Sequence, residues 1–155
     1  DLAITAGGFA ERLLSRQVLG EGGYLCLADP LSLAEGQQTL SLDEFVAREH
    51  ILVSSGGFIG ITDAGLAALG LSRRVSASTT HFAALPHLLK GSAAVATIPA
   101  HAAQSIAALS GLALLPCPLD LPRYPIELGW RTSTPLDPVV LKVRAAIVAS
   151  FARAQ

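Results

Sequence analysis

The stretch GSAAVATIPAHAAQSIAALSGLALLPCPL, residues 91–119, contains no Asp, Glu, Lys or Arg. Pro99, His101, Gln104, Gly111, Pro116 and Pro118 interrupt it, and Ala, Ser and Thr dilute it, so it does not read as a membrane span. It divides instead into a buried strand over Ala94 to Ile98, a helix over Ala100 to Leu109 entered through Pro99, and a second strand over Leu112 to Leu115. Gly111 supplies the helix stop. Strands separated by single helices imply a largely parallel sheet with helices on its faces.

The same alternation extends in both directions. Upstream, Leu2 to Thr5, Leu14 to Leu19 and Tyr24 to Ala28 are apolar strand candidates, with a turn expected at Gly20-Glu21-Gly22-Gly23. Ser41 and Glu44 form a capping box, with Leu40 and Phe45 placed as a hydrophobic staple, and start a helix over Leu42 to Arg48. Ile51 to Val53 is a strand. Thr62 can cap a helix over Asp63 to Leu69, ended by Gly70. Arg73 to Ser78 is the next strand, and Thr79 or Thr80 caps a helix reaching Lys90, with Pro86 expected to bend it. Downstream, Tyr124 to Arg131 alternates as a half-buried strand that Pro125 places near an edge. Asp137-Pro138 opens a last helix with Val140, Val143, Ile147 and Phe151 on one stripe.

The composition excludes several classes. Of 155 residues, 51% are hydrophobic and 15% charged, so the chain collapses rather than staying disordered. A formal net charge of −1 offers no basic surface for a phosphate backbone. Cys26 and Cys117 lie in separate apolar strands without paired His, and read as small buried hydrophobes in a reduced, cytosolic setting. With no Met in the chain and a core strand at its start, a fragment of a longer protein is expected. Ser54-Ser55-Gly56-Gly57 does not fit a nucleophile elbow, and His50, His81, His87 and His101 show no relay. No acidic residue lies between Asp63 and Asp120, so neither catalysis, metal nor cofactor is expected.

Two punctuated crossings, at Asp29-Pro30 and between Pro116 and Pro125, suggest two lobes joined by two strands. Residues 30–122 form the inner lobe, and 1–29 with 123–155 form an incomplete outer lobe.

The order of these segments resembles the effector-binding domain of LysR-type transcriptional regulators, in the nodulation-regulator-like branch. Asp1-Leu2-Ala3-Ile4 looks like the family's "DLAI" strand. Leu14 to Pro30 is similar to its "L…D…vcvv…HP" stretch, with Asp29 in place of the usual His. Asp63-Ala64-Gly65-Leu66 through Gly70-Leu71-Ser72-Arg73-Arg74-Val75 resembles "vDaaLaalGlrRrV". Phe82 to Lys90 and Ala96-Thr97-Ile98-Pro99 resemble "sFlalPhLlkgtdliatlP". Trp130, Asp137-Pro138 and Arg144 are similar to the family's ending, although Lys142 or Val143 stands where a second Trp is common. The family's helix-turn-helix and first outer-lobe segments are not present in this chain.

The resemblance implies an α/β, two-lobed type 2 periplasmic-binding-protein-like fold with mostly parallel sheets. It implies a cytoplasmic small-molecule sensor, homo-oligomeric, acting on DNA through an N-terminal domain. A ligand in the interlobe cleft would change the oligomer's arrangement. The alternative is a solute-binding receptor of a transporter, which shares the fold. Ligands of open α/β sheets sit outside the carboxyl ends of the strands. That places the candidate effector contacts at Ser54, Ser55, Thr79, Thr80, His81, Phe82 and Pro99. A helix N-terminus at Thr79 to His81 favours an anionic group, and Phe82 offers a face to an aromatic ring. A small aromatic or carboxylate effector fits those features. The same residues also fit plain roles: Thr79 and Thr80 as caps, Phe82 as core, Ser54 and Ser55 as a strand end.

Overall fold

The computed structural model describes residues 1–6, 14–54, 56, 60–131 and 137–153. The chain divides into two compact units, Asp1–Gly22 with Arg123–Gln155, and Gly23–Pro122.

The second unit is built on a sheet of five strands. β3 (Tyr24–Ala28), β4 (Glu49–Val53), β5 (Arg74–Thr79), β6 (Val95–Pro99) and β7 (Ala113–Pro116) stand in the order β5-β4-β6-β3-β7. Among the described residues four α-helices cover it: α1 (Leu42–Ala47), α2 (Ile61–Ala67), α3 (Leu85–Leu89) and α4 (Ala100–Ser110). Successive strand residues point to opposite faces, so each strand feeds two cores. Leu27, Ala96 and Ile98 pack with Leu85, Leu89 and Ala103 from α3 and α4. Their neighbours Cys26, Ala28 and Val95 pack with Phe45 of α1 and Leu66 of α2. Each fully buried Leu or Phe contributes about 1.5–3 kcal/mol, and this double-sided burial is what holds the unit together.

Local sequence sets the helix ends. Ser41 Oγ accepts the Glu44 N–H while the Glu44 carboxylate accepts the Ser41 N–H, so α1 starts on the expected capping box. α2 starts differently. Its cap is Gly60, whose N–H meets the Asp63 carboxylate, whereas Thr62 is buried inside the first turn. α4 ends at Gly111 with φ +73°, a left-handed conformation that costs a side-chain-bearing residue energy. Asp29, at the end of β3, accepts the N–H groups of Leu31 and Gly91. Those two bonds, Gly91 first, hold its carboxyl below the usual carboxylate range.

The first unit is a three-stranded antiparallel sheet in the order β1-β8-β2, with β1 (Leu2–Ala6), β2 (Leu14–Gly22) and β8 (Tyr124–Arg131). Helix α5 (Pro138–Arg153) follows, its first turn tied by Asp137, which accepts the Val139 N–H at 2.7 Å. Arg144 stacks its guanidinium 3.7 Å from the Trp130 ring centroid and reaches Gln17 of β2.

Several expectations are corrected. The sheets are not mostly parallel: the three-stranded one is antiparallel and the five-stranded one mixed, with β3 antiparallel to both β6 and β7 and β4 parallel to β5 and β6. The chain passes between the units at Gly22-Gly23, ahead of the expected crossing at Asp29-Pro30, because β3 hydrogen-bonds on both sides within the larger sheet. The turn expected at Gly20 to Gly23 is strand up to Gly22, with a register shift between Val18 and Gly20 that places Leu19 in the core. β8 is central, not an edge. Pro125 lies within it, opposite Glu21 of β2. On α5 the half-buried stripe runs through Val140, Arg144, Ile147 and Phe151, while Val143 is exposed.

Candidate functional site

Parallel pairing brings the ends of β4, β5 and β6 to one edge of the five-stranded sheet. Val53 lies opposite Thr79, and the Ser54 N–H donates to the Thr79 carbonyl at 2.9 Å, so Ser54 and Thr79 are neighbours. Pro99 closes β6 at the same edge. It faces Tyr24 at the start of β3, and the next N–H, of Ala100, bonds the Gly23 carbonyl at 2.8 Å. β7 also ends here, with Pro116 opposite Leu25.

The side chains at this edge are polar but locally engaged. Ser54 Oγ donates to the Gly56 carbonyl at 2.8 Å and accepts the Gly56 N–H at 3.1 Å. Thr79 Oγ1 accepts the His81 N–H at 3.2 Å. Thr80 and His81 are exposed, and Phe82 is 38% exposed, presenting its ring rather than burying it. Ser55 lies outside the described residues.

The expected long helix from Thr79 to Lys90 is not formed. A single 3-10 turn over Phe82–Ala84 precedes α3, which is five residues long. His81 occupies the cap position without a side-chain hydrogen bond. The Leu85 N–H satisfies the Phe82 carbonyl, so Pro86 enters at the first turn of α3 instead of bending a longer helix. So short a segment carries little dipole, which removes much of the positive potential expected for an anion. The groups this edge offers are hydroxyls, backbone groups and the exposed Phe82 ring.

Beneath the edge sits a charged anchor. The Arg73 side chain is only 1% exposed and paired to Asp63. This bond, ahead of the Gly60 N–H, holds the Asp63 carboxyl below its ordinary range. Next to it His50 is fully buried, with Nε2 2.9 Å from the Phe45 carbonyl and its ring edge-on to Phe45. Burial pushes the His50 imidazole down to about 4. At the opposite edge of the sheet, Asp29, Leu31, Ser32, Gly91 and Ser92 border an open hollow of ≈ 280 Å³, away from every predicted contact. Among the described residues no group of three or more His, Cys, Asp or Glu could hold a metal ion, and no helix is long and apolar enough to cross a membrane.

The fold is mixed α/β, with polar residues at the carboxyl ends of its parallel strands. The sequence pattern of the LysR substrate binding domain matches residues 1–152, and the chain belongs to that family. The HTH-type transcriptional activator NahR of Pseudomonas putida is 28% identical over 131 residues, which are 82% of this chain and 40% of that protein. Nodulation protein D 3 of Mesorhizobium japonicum is 25% identical over 155 residues, covering 99% of this chain and 51% of its own. The crystal structure of the regulatory domain of MexT, a transcriptional activator in Pseudomonas aeruginosa, superposes with a TM-score of 0.82 at 28% identity. That match covers 96% of this chain and 73% of the other. The chain thus spans about half the length of the curated relatives it matches. NahR and MexT are transcriptional activators, which favours the regulator reading over the transporter receptor.

Proposed function

We propose that this chain is the effector-sensing part of a cytoplasmic LysR-type transcription regulator. The effector is a small molecule, aromatic or carboxylate in character, and DNA is bound through an N-terminal domain outside this chain. Occupancy shifts a homo-oligomer between two arrangements with different presentation of those DNA-binding parts. The observation that carries the reading is the family match along residues 1–152. The sheet edge adds local support, because Ser54, Thr79 and Pro99 end three parallel strands there. Thr80, His81 and Phe82 follow directly on Thr79 and are exposed beside them. Ser55 completes the proposed contact set next to Ser54.

The test is a ligand screen of small aromatic carboxylates and phenols by thermal shift, followed by calorimetric titration of each compound that stabilises the protein. Thr80 is exposed, so Thr80→Val should fold normally and lose at least ten-fold in affinity, about 1.4 kcal/mol. Unchanged affinity in Thr80→Val would move the effector away from this edge.

A further inference from the structure

Cys26 and Cys117 are far apart in sequence and meet in the fold. Cys26 lies opposite Leu115 where β3 pairs with β7, and Cys117 follows two residues later on the same side, just past the strand end. Cys117 packs against the buried cluster that contains Cys26, which brings the two sulfurs within interaction range. Cys26 is fully buried, its Sγ 3.3 Å from Thr97 Oγ1, while Cys117 is half-buried. Both are free thiols.

The surroundings make the pair unequal. The Cys26 thiol, the Leu119 N–H, Thr97 and the nearby Arg73 guanidinium all favour a Cys117 thiolate, bringing it to about 7 against the opposing effect of burial. Asp63 neutralises part of the Arg73 charge. Cys26 is pushed up, by the Cys117 thiol beside it and by burial. A partly accessible thiolate backed by a protonated inner thiol is the arrangement that two-step thiol oxidation requires.

We propose that Cys117 and Cys26 form an oxidant-responsive pair, closed to an intramolecular disulfide when the protein meets a hydroperoxide. The Cys117 thiolate attacks the distal peroxide oxygen, the O–O bond breaks, and the leaving oxygen takes a proton to become water or an alcohol. This leaves Cys117 as a sulfenic acid. The Cys26 sulfur then attacks the Cys117 sulfur and the S–O bond breaks. The departing hydroxyl takes the Cys26 proton and leaves as a second water. Two thiols are oxidised and one peroxide is reduced. The product joins β3 to the segment following β7, close to where the chain enters the second unit at Gly23 and leaves it at Pro122. The pair belongs to the second unit alone, and the inference stands independently of the effector.

Trypsin separates the two cysteines, leaving Cys26 in peptide 17–48 and Cys117 in peptide 91–123. The reduced, purified protein is exposed to one equivalent of hydrogen peroxide near neutral pH, quenched with iodoacetamide, digested and weighed. The expected product is the two peptides linked, lighter than their sum by two hydrogen atoms and separated by dithiothreitol. In Cys26→Ser, dimedone should label Cys117; in Cys117→Ser, Cys26 should stay unmodified. Wild-type peptides that are both alkylated overturn the proposal. So does Cys117 gaining oxygens beside a free Cys26, or a link that joins different molecules. The wild-type map decides the matter even if a serine variant fails to fold.

Discussion

The Arg73 guanidinium holds the Asp63 carboxylate at two points, Nε to Oδ1 at 2.9 Å and Nη2 to Oδ2 at 2.7 Å. Oδ2 also accepts the Gly60 N–H. One carboxylate therefore caps α2 and fixes the residue that leads into β5, whose far end carries Thr79. The local cap and the sheet edge depend on the same pair.

Removing one partner of a buried ion pair costs more when the charge left behind is the more buried one. Arg73 is 1% exposed and Asp63 28% exposed. Asp63→Asn should therefore destabilise the protein by about 3 kcal/mol, and Arg73→Met, which leaves the wetter carboxylate, by clearly less. Urea unfolding of both variants measures the order. Equal costs, or the reverse order, would contradict the geometry.

His50 yields a pH dependence of definite sign. Its imidazole is held at about 4 against an ordinary value of 6.5. Below 6.5 the unfolded chain gains a proton that the folded chain refuses until about 4. The contribution is therefore full above 6.5 and lost as pH falls toward 4, by up to roughly 3 kcal/mol. His50→Gln keeps a donor for the Phe45 carbonyl and removes the titration. Its stability between pH 6.5 and 5 should fall less steeply than that of the wild type, measured by denaturant titration at each pH. Parallel curves would mean that His50 titrates normally.

What was legible in the sequence was chiefly what is local. The Ser41–Glu44 capping box, the Gly111 stop and the Asp137 cap need only neighbours three or four residues away, and each is found where the sequence puts it. The strand ends at Ser54, Thr79 and Pro99 followed from strand–helix alternation. Long-range facts were not legible. Pro125 argued for an edge because local sequence cannot say which strands lie on either side of β8. Nothing local marks Arg73 as buried, because its partner is ten residues upstream on α2. The cysteines looked unrelated because only the β3–β7 register brings them together. Thr79 to Leu89 shows the limit within a single segment. The helix expected there becomes a strand end, a 3-10 turn and one short helix, because the Thr79 hydroxyl takes the His81 N–H and Pro86 suits a first turn.

Gly22 is required by its neighbour. It lies opposite Tyr124 at the end of the β2–β8 ladder, and a Cβ there would overlap the outer end of the Tyr124 ring. Gly22→Val should displace the ring, open the last pair of the ladder and cost about 1–3 kcal/mol, the range for overpacking. Gly23, with open space at its Cβ position, serves as the control, and Gly23→Ala should be close to neutral. Similar losses for both variants, by thermal melting, would mean that chain flexibility rather than the Tyr124 contact matters at this junction.

Trp130 is the sole tryptophan of the chain, so its fluorescence reports on the first unit alone. The Arg144 guanidinium lies 3.7 Å from its ring centroid, and Arg144 also reaches Gln17 on β2, at 3.4 Å. One side chain of α5 thus touches both the central strand β8 and the edge strand β2, which makes it the polar rivet of that face. Such a partly exposed cation–π contact is worth about 0.5–1 kcal/mol. Arg144→Ala should lower the stability of the first unit by that amount and change the emission of Trp130. Arg144→Lys should restore part of the energy, because an ammonium keeps the charge but not the planar stack. Because the tryptophan and the cysteine pair belong to different units, peroxide treatment of the reduced protein offers a final control. It should change the thiol map while leaving the Trp130 unfolding midpoint unaltered, and a shift of that midpoint would mean that the oxidation state of the second unit is felt by the first.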